Sequence, residues 1–111
     1  MAEERIVTVL MTAPDRATGR EVAARLVEER LAACGNVLDG VTSVFWWEGE
    51  VQDEDEVLVI LKTTTARVSA LTDRARELHP YDVPEVLALP VDGGLQEYMD
   101  WVREETGPTE E

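Results

Sequence analysis

Apolar positions along the 111-residue chain fall into two kinds of pattern. Two runs are apolar at nearly every position, Ile6-Val7-Thr8-Val9-Leu10-Met11 and Val57-Leu58-Val59-Ile60-Leu61. Both are rich in β-branched residues, and continuous runs of this kind predict strands covered on both faces. Two further stretches repeat apolar residues every three or four positions, the spacing of one helix face. From Arg16 to about Ala33 the stripe is Val22, Ala23, Leu26, Val27, Leu31 and Ala33, with Arg20, Glu21, Arg25, Glu28, Glu29 and Arg30 on the polar side. From about Arg67 to Leu78 it is Val68, Leu71, Ala75 and Leu78. Asp15, after the break at Thr12-Ala13-Pro14, is the expected N-cap of the first helix.

Cys34-Gly35 is expected to end that helix, and residues 36–48 read as a long strand through Val37, Val41, Val44, Phe45, Trp46 and Trp47, with a bulge or bend at Gly40. Glu48-Gly49-Glu50 is a hairpin turn, and the return strand, from about Val51, carries the acid run Asp53-Glu54-Asp55-Glu56 into the second apolar run. The result is a two-stranded arm with a polar tip and a buried base. Pro80 fixes its own φ and pushes His79 out of the helical region, so the second helix ends there. Glu85 to Val91 is a strand, Asp92-Gly93-Gly94 a turn, and Leu95 to Glu105 a last helix with Tyr98, Trp101 and Val102 on one face. From Thr106 onward the tail should fray.

The order is β-α-β-β-α-β-α. This is an α+β domain spanning residues 1–111, with a ferredoxin-like core, an extra C-terminal helix and a long arm. The two continuous runs form the central strand pair, and the Trp46-Trp47 strand lies at an edge. Adjacent strand residues face opposite sides, so Trp46 and Trp47 cannot share one core, and at least one of them faces another subunit.

Composition narrows the function. With 24 acidic and 10 basic residues the net charge is −14, which argues against nucleic-acid or anionic-membrane partners, since phosphate binding needs a basic face. No apolar run approaches the roughly 20 residues of a membrane helix. The start Ala2-Glu3-Glu4 has the wrong sign for a secretion signal, and the single cysteine, Cys34, allows no internal disulfide. A cytoplasmic protein is expected. The chain has no glycine-rich phosphate loop, no Cys-x-x-Cys, no nucleophile elbow and no zinc signature, so it does not read as an enzyme.

The densest chemistry lies in His79-Pro80-Tyr81-Asp82-Val83-Pro84-Glu85, which holds the only histidine. Either the prolines simply end a helix whose last carbonyls His79 caps, or a stiff loop holds a ligand. Imidazole suits copper and zinc, and Asp82 and Glu85 lie nearby in sequence. Met11 is either a thioether donor or plain core, and Cys34 either a ligand or a buried small hydrophobe. The acid run lacks the spacing of a calcium loop, strand alternation splits its four acids between two faces, and it reads as a solvated hairpin.

Five blocks in order (Thr12-Ala13-Pro14; Leu31-Ala32-Ala33-Cys34-Gly35-Asn36-Val37; Trp46-Trp47-Glu48-Gly49-Glu50; Leu61-Lys62-Thr63-Thr64; His79 to Glu85) resemble the CutA family of divalent-ion tolerance proteins. The resemblance implies a homotrimer similar to the PII signalling proteins, joined through the hairpin arms, with Trp46 and Trp47 at the interface. It also implies binding of copper or another divalent metal, with no obligatory cofactor and no established reaction. The family's metal donors are a cysteine where this chain has Met11 and histidines at the positions of Leu78 and His79. That leaves His79, with Asp82 and Glu85 and more weakly Met11, as the implied metal set. Lys62, Trp47, Tyr81 and Glu85 fall in matching blocks and imply a cleft between subunits for a small anion or metabolite. The alternative for Lys62 and Glu85 is an interface ion pair. Two functions stay open, a metal-tolerance protein and a signalling or scaffold trimer that binds a small ligand.

Overall fold

The two continuous apolar runs lie side by side. In a computed structural model that describes residues 4–107, β1 (Ile6–Ala13) pairs antiparallel with β3 (Glu50–Thr64) at the centre of a four-stranded sheet. β2 (Cys34–Trp47) and β4 (Leu87–Pro90) flank them, giving the order β2-β3-β1-β4. One face of the sheet is covered by α1 (Arg16–Glu28) and α2 (Val68–Leu78). There Val9, Met11, Val59 and Leu61 pack against Val22, Ala23, Leu26, Leu71 and Ala75. Arg74 of α2 clamps the helices together by donating from Nε and Nη2 to both carboxylate oxygens of Glu29, at 2.8 and 3.0 Å. α3 (Gln96–Glu105) covers one end of the other face, with Val102 against Ile6 and Ala33.

The remainder of that second face has no cover among the described residues, contrary to the expectation for continuous runs. Leu10, Leu58 and Ile60 are only half-buried, and Leu38, Leu87 and Leu89 are exposed. The register puts them together: Leu10 lies opposite Leu87 and Leu58 opposite Leu38, while Leu89 pairs with Thr8 two residues from Leu10.

The arm is built as expected, from different surfaces. Glu48 (φ 51°) and Gly49 (φ 81°) make a two-residue turn with both central residues left-handed, the geometry that matches strand twist. At the base, Leu38 pairs with Leu58 but Val41 with Glu56, so β2 carries one extra residue around Asp39-Gly40, a bulge with Gly40 at φ 82°. The tip is not polar throughout. Val44, Trp46 and Val51 stand exposed on one face, with Trp46 at 73%. The molecule measures 48 × 30 × 23 Å along its principal axes.

Three boundaries differ from expectation. α1 stops at Glu28 rather than Ala33, because Arg30 turns left-handed (φ 61°) and the amides of Leu31 and Ala32 both bond back to Leu26 O. Ala33 N–H then joins Lys62 O, so Cys34 opens β2 instead of closing the helix. β4 is shorter than Glu85–Val91, since Glu85 and Val86 belong to the preceding loop. The tail does not fray at Thr106. That residue is buried, its hydroxyl donates to Val102 O at 2.7 Å, and its carbonyl accepts from Arg67 Nε at 2.6 Å. The rest of the expected frayed tail, beyond Gly107, lies outside the described residues.

Candidate functional site

The loop after α2 is tied to the end of β1 by its histidine. Pro80 holds His79 extended (φ −81°, ψ 141°), and the ring turns inward to 6% exposure. Its Nδ1 accepts the amide of Tyr81 at 3.1 Å. A neutral ring with Nδ1 accepting carries its proton on Nε2, which donates to the carbonyl of Thr12 at 2.8 Å. The ring also leans on Tyr81, with centroids 4.6 Å apart. His79 therefore caps no helix carbonyl, and both its nitrogens are already engaged.

Tyr81, positioned by this tie, crosses to the arm and donates its hydroxyl to Glu56 Oε2 at 2.7 Å. Its pKa is pushed well above the ordinary phenol value, first by burial, then by the bond to Glu56, then by the charges of Glu56, Glu54 and Asp15. Between the arm and the loop lies an open cavity of about 760 Å³. β2 contributes Ser43, Phe45 and Trp47 to its wall, β3 contributes Gln52, Glu54 and Glu56, and the loop contributes Tyr81 to Glu85. Thr12 adds to the wall, and no lysine, arginine or histidine lines it. Strand alternation divides the acid run: Glu54 and Glu56 face the cavity, while Asp53 and Asp55 point to the other side. The split follows the expected alternation, but Glu54 and Glu56 line a cavity instead of a solvated hairpin.

The expected site residues are only partly brought together. Trp47, Tyr81, Asp82 and Glu85 share the cavity. Lys62 sits six residues along β3 from Glu56, about 20 Å at the usual strand rise, and donates to Asn36 Oδ1. Within one chain it reaches neither the cavity nor Glu85. Met11 is fully buried on the helix side, its thioether enclosed by core. Among the described residues no three His, Cys, Asp or Glu side chains converge as a metal site.

At the opposite end of the sheet, Cys34 is half-exposed rather than buried, with Sγ 3.4 Å from the Tyr98 hydroxyl. That contact, followed by burial, raises the Tyr98 pKa to about 12. Tyr98 also packs on Trp101, with ring centroids 5.5 Å apart.

Relatives extend these features. The model of the CutA1 divalent ion tolerance protein family matches residues 7–105. The chain is 50% identical over 99 residues to the divalent-cation tolerance protein CutA of Thermus thermophilus, covering 89% of this chain and 96% of that one. Its fold superposes on the solved structure of divalent cation tolerance protein (Cut A1) from that organism with a TM-score of 0.90 at 49% identity, over 92% of this chain and 99% of the other. On the crystal structure of CutA1 from Oryza sativa the TM-score is 0.92 at 40% identity, over 96% and 98% of the two chains. A family match running from β1 through α3, with sequence and fold agreeing over nearly the whole length, leaves one conclusion: the chain belongs to the CutA1 divalent ion tolerance protein family.

Proposed function

We propose that the protein acts in divalent-cation tolerance as a cytoplasmic homotrimer that binds copper or another divalent metal. The observation that carries this reading is the uncovered sheet face, with Leu10, Leu58, Ile60, Leu38, Leu87 and Leu89, together with a second exposed apolar patch on the opposite pleat face of the arm, Val44, Trp46 and Val51. A contiguous apolar sheet face calls for a protein partner. The sheet also ends in two different free edges, β2 and β4. Joining one to the other between copies is a head-to-tail contact that closes into a ring. Trp46 belongs to the arm's exposed patch, on the pleat face that continues the helix side of the sheet, and Trp47 stands at the rim of the cavity. The metal donors in this reading are the carboxylates of Asp82 and Glu85, completed by groups from neighbouring subunits. His79 and Met11 serve the fold.

Native mass spectrometry of protein purified without chelator tests both halves. The expected species has three times the 12.4 kDa chain mass and retains divalent metal. A stable monomer overturns the assembly. A trimer that takes up no copper or other divalent cation on titration overturns the metal role.

A second reading, a PII-like module binding a small ligand at the subunit clefts, is favoured by the cavity itself. Its volume of about 760 Å³ lies in the range of organic-ligand sites and far exceeds the room an ion needs. An organic molecule retained in the same spectra would favour it.

A further inference from the structure

We propose that the arm–loop cavity is a site for an organic cation, a protonated amine carrying an apolar body, and not for an anionic metabolite. This inference rests on the small-ligand reading of the cleft. Two kinds of wall carry it. One is aromatic: Phe45 and Trp47 project from β2, and Tyr81 faces them from the loop. Aromatic faces attract cations through their quadrupole as well as burying carbon. The other wall is anionic. Glu54 and Glu56 come from β3 and Asp82 and Glu85 from the loop. None of these four forms an ion pair with a base among the described residues.

The cavity is also built to keep that sign. Its lining includes no basic side chain, so an incoming carboxylate or phosphate finds no counter-charge in the chain. Lys62, the base the sequence motifs suggested, lies about 20 Å along the strand and is occupied by Asn36. Loss of the Tyr81 proton is opposed first by burial, then by the hydrogen bond to Glu56 and by the charges of Glu56 and Glu54. A bare divalent ion would meet carboxylates but leave the aromatic wall and most of the volume unused. An ammonium group with an aryl or alkyl body uses both walls at once.

The test is calorimetric titration of the intact protein, in buffer containing a chelator so that metal binding plays no part. The probes are 2-phenylethylamine, 3-phenylpropionate and 2-phenylethanol, which share an aryl body and differ in charge. The expected result is saturable binding of the amine, weakened by added salt, with neither other probe binding comparably. Glu56→Gln keeps an acceptor for Tyr81 and should weaken the amine about three- to fivefold, the scale of one accessible ion pair. Glu54→Gln, which has no part in holding Tyr81, should do the same. Trp47→Ala should cost about two- to fivefold through the lost cation–π face. Asp55→Asn removes the same charge from the opposite face of the arm and should leave binding unchanged. Equal binding of the anion or the alcohol overturns the cation assignment while the small-ligand reading stands. Failure of all three probes overturns both. Amine binding that falls as much in Asp55→Asn as in Glu56→Gln shows bulk charge at work and overturns the site.

Discussion

Replacing His79 by alanine separates a fold-tying role from a metal-binding one. The ring is almost fully buried and makes two hydrogen bonds, from Nε2 to Thr12 O at 2.8 Å and at Nδ1 from the Tyr81 amide at 3.1 Å. Removing it leaves a partly buried carbonyl and a partly buried amide without their partners, at about 1 kcal/mol each. Loss of the ring contact with Tyr81, at 4.6 Å between centroids, adds about 0.5–1.5 kcal/mol. The expected cost is about 2–4 kcal/mol, or a fall of roughly 10–15 °C in melting temperature for a chain this short. Thermal and urea unfolding followed by far-ultraviolet circular dichroism measure it, with and without chelator. His79→Gln should recover part of the loss, because its amide can donate to Thr12 and accept from Tyr81. The chelator should change neither difference. Copper affinity, measured by calorimetry under conditions where both proteins are folded, should be the same for wild type and His79→Ala. The reasoning is refuted if His79→Ala unfolds like wild type and has lost copper binding. The imidazole would then be a donor and its hydrogen bonds incidental.

Three further outcomes are expected. Trp46→Ala should shift the monomer–trimer equilibrium by about 2 kcal/mol per contact, the scale of an interface anchor. Sedimentation velocity would show monomer at micromolar concentration, with the monomer's circular dichroism spectrum kept. Gly35→Ala should destabilise by about 1–3 kcal/mol, since its Cβ would lie 2.8 Å from Leu61 Cδ2 and 3.2 Å from Ala23 Cβ; urea denaturation checks this. Tyr98 should ionise near pH 12 instead of 10, and Cys34→Ala should bring it down, as read by ultraviolet difference titration. The folded state holds that proton more tightly than the unfolded chain, so its contribution to stability is complete below pH 10 and declines between 10 and 12.

Local signals carried most of the fold. Asp15 caps α1 by accepting the Thr18 amide at 2.8 Å, the apolar stripes face the core, and Gly40 and Gly49 mark the bulge and the turn. The failures share a cause, which is a partner distant in sequence. Nothing between Glu29 and Ala33 breaks a helix; Ala33 leaves it because Lys62 offers a carbonyl. Thr106 reads as a tail residue until the guanidinium of Arg67 reaches its carbonyl. Nothing in the sequence around a lone histidine shows that its ring reaches back to the carbonyl of Thr12 in β1. Lys62 and Tyr81 occur in neighbouring motif blocks, but block order contains no distance, and the length of β3 separates them. Alternation alone divides Glu54 and Glu56 from Asp53 and Asp55 in the sequence, but their cavity is not legible there, because it exists only where Tyr81 crosses to the arm.

The turn at Glu48-Gly49 and the bulge at Asp39-Gly40 together give the arm a unit of length. The turn sets the pairing at the tip, and the extra residue at the base takes up the offset from the main sheet. Between these two fixtures, adding or removing one residue on each strand would exchange the faces of Trp46 and Trp47, turning the contact surface toward the cavity. A change of two residues on each strand keeps every side chain on its own side and moves the tip by about 6.6 Å. The reach of one subunit toward the next can therefore vary only in steps, four residues inserted or deleted at a time.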